Sequence, residues 1–131
     1  MKISTRSYYG LRAMVFLASE KKLCSIKLIA KKEGLPRNYL EKIFQQLKKA
    51  KLVDSSKGAD GGYLLALNAK KIKISNIIEA LEGRIIYVPC GNASFCPKMG
   101  KCSSQNFWLK LEKAVNKSLN SVSLADLAKK K

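Results

Sequence analysis

The sequence contains no histidine. That removes the commonest general base and the commonest metal-ligating side chain, so most hydrolytic mechanisms lose their usual catalyst. The chain is therefore expected not to be an enzyme and to have no small-molecule substrate. Long apolar runs are also missing, and none approaches the ~20 residues that a bilayer-spanning helix needs. The opening stretch, Met1-Lys2-Ile3-Ser4-Thr5-Arg6, leads into a segment interrupted by Arg12. It has neither the uniform apolar core nor the small-residue cleavage site of a secretory signal. A cytoplasmic protein without a membrane partner is expected. Acidic residues are scarce, 9 Asp and Glu against 26 Lys and Arg, which gives a formal net charge of +17. Such an imbalance points to a polyanionic partner, with nucleic acid the first candidate. Arginine is rare as well (Arg6, Arg12, Arg37 and Arg84), so lysine-rich composition accounts for part of the excess. Charge supports the nucleic-acid reading without carrying it.

What is present is enough for one compact domain with an accessory helix: 131 residues, 47% of them hydrophobic. Ser4 or Thr5 is placed to cap a first helix whose apolar positions, Tyr8, Leu11, Val15 and Ala18, fall at helical spacing. Glu20-Lys21-Lys22 ends it. Ser25 is an N-cap for a short second helix, Ile26 to Glu33, closed by Gly34 where a left-handed residue is needed. Pro36 then suits the start of a third helix, from about Arg37 to Ala50, with the stripe Leu40, Ile43, Leu47 and Ala50. A short helix, a tight turn and a longer helix with a basic exposed face form a helix-turn-helix pattern.

Two strand candidates follow, Leu52–Ser56 and Tyr63–Leu67, joined by the glycine-rich turn Lys57-Gly58-Ala59-Asp60-Gly61-Gly62. A hairpin directly after the second helix of a helix-turn-helix is a wing. The glycines do not match a phosphate-binding loop, which needs a strand-to-helix setting. Ser75 is read as the cap of a fourth helix, Asn76 to Glu82, ended by Gly83. A fifth helix starts after Ser103 or Ser104. Its stripe of Trp108, Leu111, Val115 and Leu119 suits packing on another helix, either of a second subunit or of its own domain. Ser123-Leu124-Ala125-Asp126 can cap a last short turn before the Lys129–Lys131 tail. The expected fold is mainly α with a small β wing: a winged helix-turn-helix domain at residues 1–83, a cysteine sensor loop at 84–102, and a dimerisation helix with a tail at 103–131.

In a winged helix the third helix enters the major groove, and residues at its start lie nearest the base edges. Arg37 can bridge guanine, Asn38 can pair with adenine and Glu41 can accept from cytosine. Tyr39 belongs to the same surface. Lys42, Lys48 and Lys49 suit phosphates, as do Lys57 and Gly58 at the mouth of the wing. In a reducing cytosol the four cysteines are metal ligands or redox sensors sooner than structural disulfides. Cys90, Cys96 and Cys102 are each separated by five residues in a segment where Arg84, Lys98 and Lys101 are the only charges. Regular spacing lets three thiolates converge, and the cations favour the thiolate form. Soft thiolates suit an iron–sulfur cluster or zinc, and a disulfide switch is the further alternative. Cys24 stands apart and is read as a small buried residue.

These residues carry a resemblance over nearly the whole chain. Lys2 to Ala13, Tyr39-Leu40-Glu41-Lys42-Ile43 with Leu47 to Val53, and the wing block Lys57 to Ala66 followed by the three cysteines are similar to the IscR/NsrR/RirA group of bacterial regulators, the Rrf-two family. The resemblance implies homodimeric winged-helix repressors or activators that bind double-stranded DNA. It also implies a 2Fe–2S or 4Fe–4S cluster on Cys90, Cys96 and Cys102. Glu41 falls where a member of the group discriminates between DNA site classes, and Lys57 stands where the family usually has Arg. The departure is in the fourth ligand. Gln105 occupies the place of the His used by cluster-assembly regulators, and Tyr8 lies near the acidic residue used by nitric-oxide sensors.

Overall fold

The computed structural model describes residues 2–58, 61–84 and 102–128. Six helices and one hairpin are defined among them: α1 (Thr5–Glu20), α2 (Ile26–Glu33), α3 (Arg37–Lys49), β1 (Val53–Ser56), β2 (Gly62–Leu65), α4 (Ile74–Glu82), α5 (Gln105–Ser121) and α6 (Leu124–Ala128). A 3-10 turn over Ala69–Lys71 precedes α4. The described chain thus has the mainly α architecture with a small β wing that the pattern of elements implies.

The helix-turn-helix is set by local chemistry. The Leu28 N–H donates to Ser25 Oγ at 3.0 Å, which satisfies one of the donors left open at the start of α2. Gly34 ends α2 at φ 67°, a left-handed conformation. Pro36, at φ −63°, opens α3 and its carbonyl accepts from the Leu40 N–H at 3.1 Å. The buried stripe of α3 is Leu40, Ile43, Phe44 and Leu47. Ala50 does not belong to it, because the helix ends there and the residue is exposed.

The hairpin is antiparallel, with Val53 paired to Leu65 and Ser56 to Gly62. A third piece of extended chain joins its outer edge. The Cys24 N–H donates to the Tyr63 carbonyl at 2.9 Å, and the Tyr63 N–H to the Cys24 carbonyl at 2.8 Å. Cys24 is buried there, and its burial raises the thiol above its ordinary range, as befits an inert packing residue. Tyr63 also packs on buried Phe44 with ring centroids 4.8 Å apart, fastening the wing to α3.

Four sequence readings are corrected by packing. The core face of α1 is built on Ser7, Gly10, Ala13, Met14 and Leu17, together with Phe16 and Ala18; Tyr8 is exposed and Leu11 and Val15 are half-buried. The helix is enclosed by α2, α3, α4 and α6, so its smallest residues, not one apolar stripe, decide the closest approach. Leu81 of α4 lies against Gly10. Neither Ser4 nor Thr5 caps α1 through its own side chain. The Glu82 carboxylate does so from α4: it accepts from the Ser4 N–H at 2.6 Å, from Ser7 Oγ at 2.9 Å and from the Ser4 hydroxyl.

Helix α4 begins at Ile74, where Asn76 Oδ1 accepts from the Lys73 N–H at 2.8 Å. Ser75 is therefore not its cap; it is buried and donates to Asn120 of α5 at 2.5 Å. The strands are Val53–Ser56 and Gly62–Leu65, displaced from 52–56 and 63–67. The cap at Ser123 is as read: Asp126 accepts from the Ser123 N–H at 3.0 Å and donates its own N–H to Ser123 Oγ at 3.2 Å. Leu124 enters the main core, and residues 122–124 bond the backbone of Ile72 and Ile74.

Glu82 gives a pH-dependent prediction. Hydrogen bonds from the Ser4 side chain and backbone, then from Ser7, with Arg6 nearby, hold its carboxyl below the ordinary range. A depressed folded-state value contributes stability above the unfolded value, and that stability is lost as pH falls through the folded one. Glu82→Gln should cost on the order of 1 kcal/mol near neutrality, discounted for the solvent-facing carboxylate. The gap from the parent should close as pH falls through the carboxylate range, as read by urea melts at stepped pH. A gap constant with pH would contradict the assignment.

Candidate nucleic-acid interface

The exposed side of α3 is the amphipathic helix's other half. Arg37, Asn38, Glu41, Lys42 and Lys48 are all exposed on it, and Lys57 and Gly58 are exposed at the mouth of the wing. Tyr39 is half-buried, edge-on to Tyr9 of α1 at 5.5 Å. Arg37 Nε lies 3.7 Å from Glu41 Oε1, an exposed pair one turn apart. Such a pair is worth only ~0.3–0.5 kcal/mol, so an incoming base edge can open it cheaply.

Lys48 is tied to the wing, donating from Nζ to Ser55 Oγ at 2.6 Å. The groove between α3 and the wing is lined by Gln45, Lys48, Lys49, Ser56, Lys57 and Tyr63 among others. A second groove runs along the opposite flank of α3, toward the start of α1. Lys48, Lys49 and Lys57 therefore meet at one concave surface, whereas Arg37 and Asn38 line neither groove. Gln45 and Tyr63 were missing from the sequence reading. Gln45 sits four residues beyond Glu41 on the same face, a signal that spacing alone could have supplied.

The cysteine segment lies partly outside the described residues, Cys90 and Cys96 with it. Cys102 is described: it is half-buried, with Sγ 3.0 Å from Ser104 Oγ, and its carbonyl accepts from the Gln105 N–H at 3.3 Å. It thus stands at the start of α5, where the partial positive charge of the helix favours an anionic ligand atom. Gln105 is the half-buried first residue of α5, and Tyr8 is 61% exposed on α1. Among the described residues, no three His, Cys, Asp or Glu side chains come together as a metal site.

Both ends of the segment are anchored. Arg84, one residue after α4 and Gly83, bonds Glu112 of α5 at 2.8 Å. Ser75 and Asn120 join the same two helices further along. No residue of α5 is fully buried in the single chain. Trp108 is 42% exposed and Phe107 58%, their rings edge to face at 5.0 Å. Leu111 and Val115 are half-buried with Leu109 in a small cluster of their own, and Leu119 packs on the main core. No helix among the described residues is long and apolar enough to cross a membrane.

Comparison with known proteins agrees with this geometry. A family profile described as Rrf2, an iron-dependent transcriptional regulator, matches residues 3–130. The protein rrf2 of Nitratidesulfovibrio vulgaris is 38% identical over 130 residues, 97% of this chain and 87% of that protein. Among solved structures, CymR, the global cysteine regulator of B. subtilis, has a TM-score of 0.82 at 33% identity, over 100% of this chain and 98% of that one. IscR of T. potens has a TM-score of 0.79 at 36% identity, over 99% and 88%.

Proposed function

Because the chain belongs to the Rrf2 family of DNA-binding transcription regulators, we propose that it acts as a homodimer whose promoter binding is controlled by an iron–sulfur cluster, 2Fe–2S or 4Fe–4S, on Cys90, Cys96 and Cys102. The observation that carries this reading is the placement of the cysteine segment. In sequence it follows the helix-turn-helix and wing and precedes α5. Its described ends, Arg84 and Cys102, stand after α4 and before α5, a helix with no fully buried residue in the single chain. The donor set fits, since three soft thiolates suit iron, and Cys102 is half-buried at the positive end of a helix. When bound, the group would supply an iron centre whose charge and ligation respond to redox state or nitric oxide.

What the chain itself contributes is the linkage. The last turn of α4 holds the start of α1 through Glu82 and through the Leu81 carbonyl, which accepts from Arg6 at 3.0 Å. Arg84 holds α5 through Glu112. A change in the segment therefore acts on α1, α4 and α5 together and biases the population of the dimer able to seat α3 in the major groove. Trp108, Leu111, Val115 and Leu119 supply the dimer contact, with Leu119 shared between it and the domain core. Within the groove, Arg37, Asn38 and Glu41 read bases, while Lys42, Lys48 and Lys57 hold phosphates, with Tyr39 and Gly58 shaping the surface.

A second reading draws on the likeness to a cysteine regulator: a cluster-free protein switched by thiol oxidation or by a protein partner. One experiment separates the two. Anaerobic purification with iron and sulfide analysis is followed by duplex binding on the same sample, for the parent and for the triple variant Cys90→Ser, Cys96→Ser, Cys102→Ser. The cluster reading expects iron and sulfide in the parent, none in the variant, and a changed affinity. No iron with an affinity shift on oxidation supports the thiol switch.

Glu41 has its own test. Glu41→Ala removes an acceptor and frees Arg37, so base preference at one position should relax by about tenfold or more, while total duplex binding holds or rises. Selection from a random duplex pool reads this. A loss of equal size on every sequence would show that Glu41 does not read bases.

A further inference from the structure

Helix α3 has a basic groove on each flank, and only the one beside the wing is explained by a winged helix. The other is lined by Arg6, Tyr39, Lys42, Gln45, Gln46 and Lys49. Residues 39, 42, 46 and 49 recur at three- and four-residue steps and so share one side of α3. The far wall is Arg6, from the first turn of α1. Three cations and two carboxamides line this groove, and no carboxylate does.

Two contacts make the groove a built feature. The edge-on contact of Tyr9 with Tyr39 sets α1 against α3. The bond from Arg6 Nη1 to the Leu81 carbonyl holds the guanidinium by one corner, and its planar fork leaves further N–H donors for an anion. The neighbouring Glu82 carboxylate is engaged by Ser4 and Ser7.

The major groove of B-DNA is about 12 Å wide, close to the ~10–12 Å diameter of a helix with its side chains. A recognition helix seated there has one phosphate strand along each flank. We propose that the Arg6 groove receives the phosphate strand opposite the wing, with Arg6 as the positioning contact and Lys42 beside it; Lys49, which lines both grooves, stands on the crest between them. Lys48, Lys57 and Ser55 take the other strand. The proposal rests on the DNA-binding reading and deepens it. Arg6 grips the backbone without reading bases, and it hangs from the last turn of α4.

The test is binding of a short mixed-sequence duplex across a salt series, with melting curves in the same buffer. Arg6→Ala removes the side chain. Arg6→Gln removes the charge but keeps a donor for the Leu81 carbonyl. Arg6→Lys keeps the charge. Lys48→Ala reports the wing side, and Lys117→Ala on α5 alters net charge without touching either groove. Arg6→Ala and Arg6→Gln should weaken binding about five- to tenfold, equally on unrelated sequences, and make the log-affinity against log-salt slope shallower by about two, one contact being lost from each protomer of the proposed dimer. Arg6→Lys should keep most of the slope, and Lys117→Ala should stay within about twofold of the parent.

If Arg6→Gln binds with the parent's slope while Lys48→Ala loses about two units, the proposal is overturned and DNA binding stands. Weaker binding by Arg6→Gln with an unchanged slope would assign Arg6 a purely structural role and also overturn it. A parent that binds no duplex at all removes both readings.

Discussion

Raising salt from about 50 mM to about 200 mM is expected to weaken duplex binding by on the order of ten-thousandfold. The proposed DNA-binding face presents Arg37, Lys42, Lys48, Lys49 and Lys57 on each protomer of the proposed dimer, all exposed in the single chain. If about four of them on each of two protomers meet phosphates, the log–log slope is about −7, since each neutralised phosphate contributes about −0.9 by counterion release. The expectation does not use the full +17 charge. Only cations close to a phosphate displace its counterions, and more distant lysines are screened within about 8–10 Å at these salt levels. Fluorescence anisotropy on a labelled duplex at stepped salt measures the slope. A slope shallower than about −2 would mean that the basic face is a solvated surface and that the major-groove geometry is wrong.

Gly62→Ala should be the most damaging single substitution in the wing. A Cβ at this position would lie 2.3 Å from the Cys24 carbonyl oxygen, 2.5 Å from its carbon and 2.8 Å from the Ser25 nitrogen. All three are backbone atoms, so no side chain can turn aside to relieve the contact. Either β2 leaves Cys24, breaking both hydrogen bonds between Cys24 and Tyr63, or the loop before α2 shifts and pulls at the Ser25 cap. Two backbone bonds at ~1 kcal/mol each, with the loosened Tyr63–Phe44 contact, make a cost of about 3 kcal/mol. That corresponds to a melting shift on the order of 10 °C for a domain of this size. Duplex affinity should fall on all sequences, because the wing carries Lys57 and the Ser55 partner of Lys48. Gly58→Ala is the contrast: φ is +113° with nothing within 4 Å, so it bears conformational strain alone, about 1–2 kcal/mol. Equal melting of Gly62→Ala and the parent would show that β2 does not dock on Cys24.

Legibility from sequence followed the range of the interaction. The start and end of α2, the start of α3 and the cap at Ser123 were readable because Ser25, Gly34, Pro36 and Asp126 act on groups within three or four residues. The exposed set on α3 was readable because an amphipathic helix sorts its own residues, and Arg37, Asn38, Glu41, Lys42 and Lys48 fall on its solvent side. Ser75 was misread as a cap because its partner, Asn120, is 45 residues away. The face of α1 was misread because a helix packed on several sides has no single stripe. Gln45 and Tyr63 come from different elements and share a groove only once the hairpin folds back on α3.

By itself the sequence determined the order of the described elements, the basic solvent-facing side of α3 and the regular spacing of three cysteines. Each depends on residue type and near-neighbour spacing, which the chain carries before it folds. Tertiary structure alone decided that Cys24 forms the outer edge of the wing, that Glu82 caps α1, and that Arg6 is held beside α3 by the end of α4. These contacts join residues 39 to 78 positions apart. They form only when the core has brought the helices together, so no local pattern announces them.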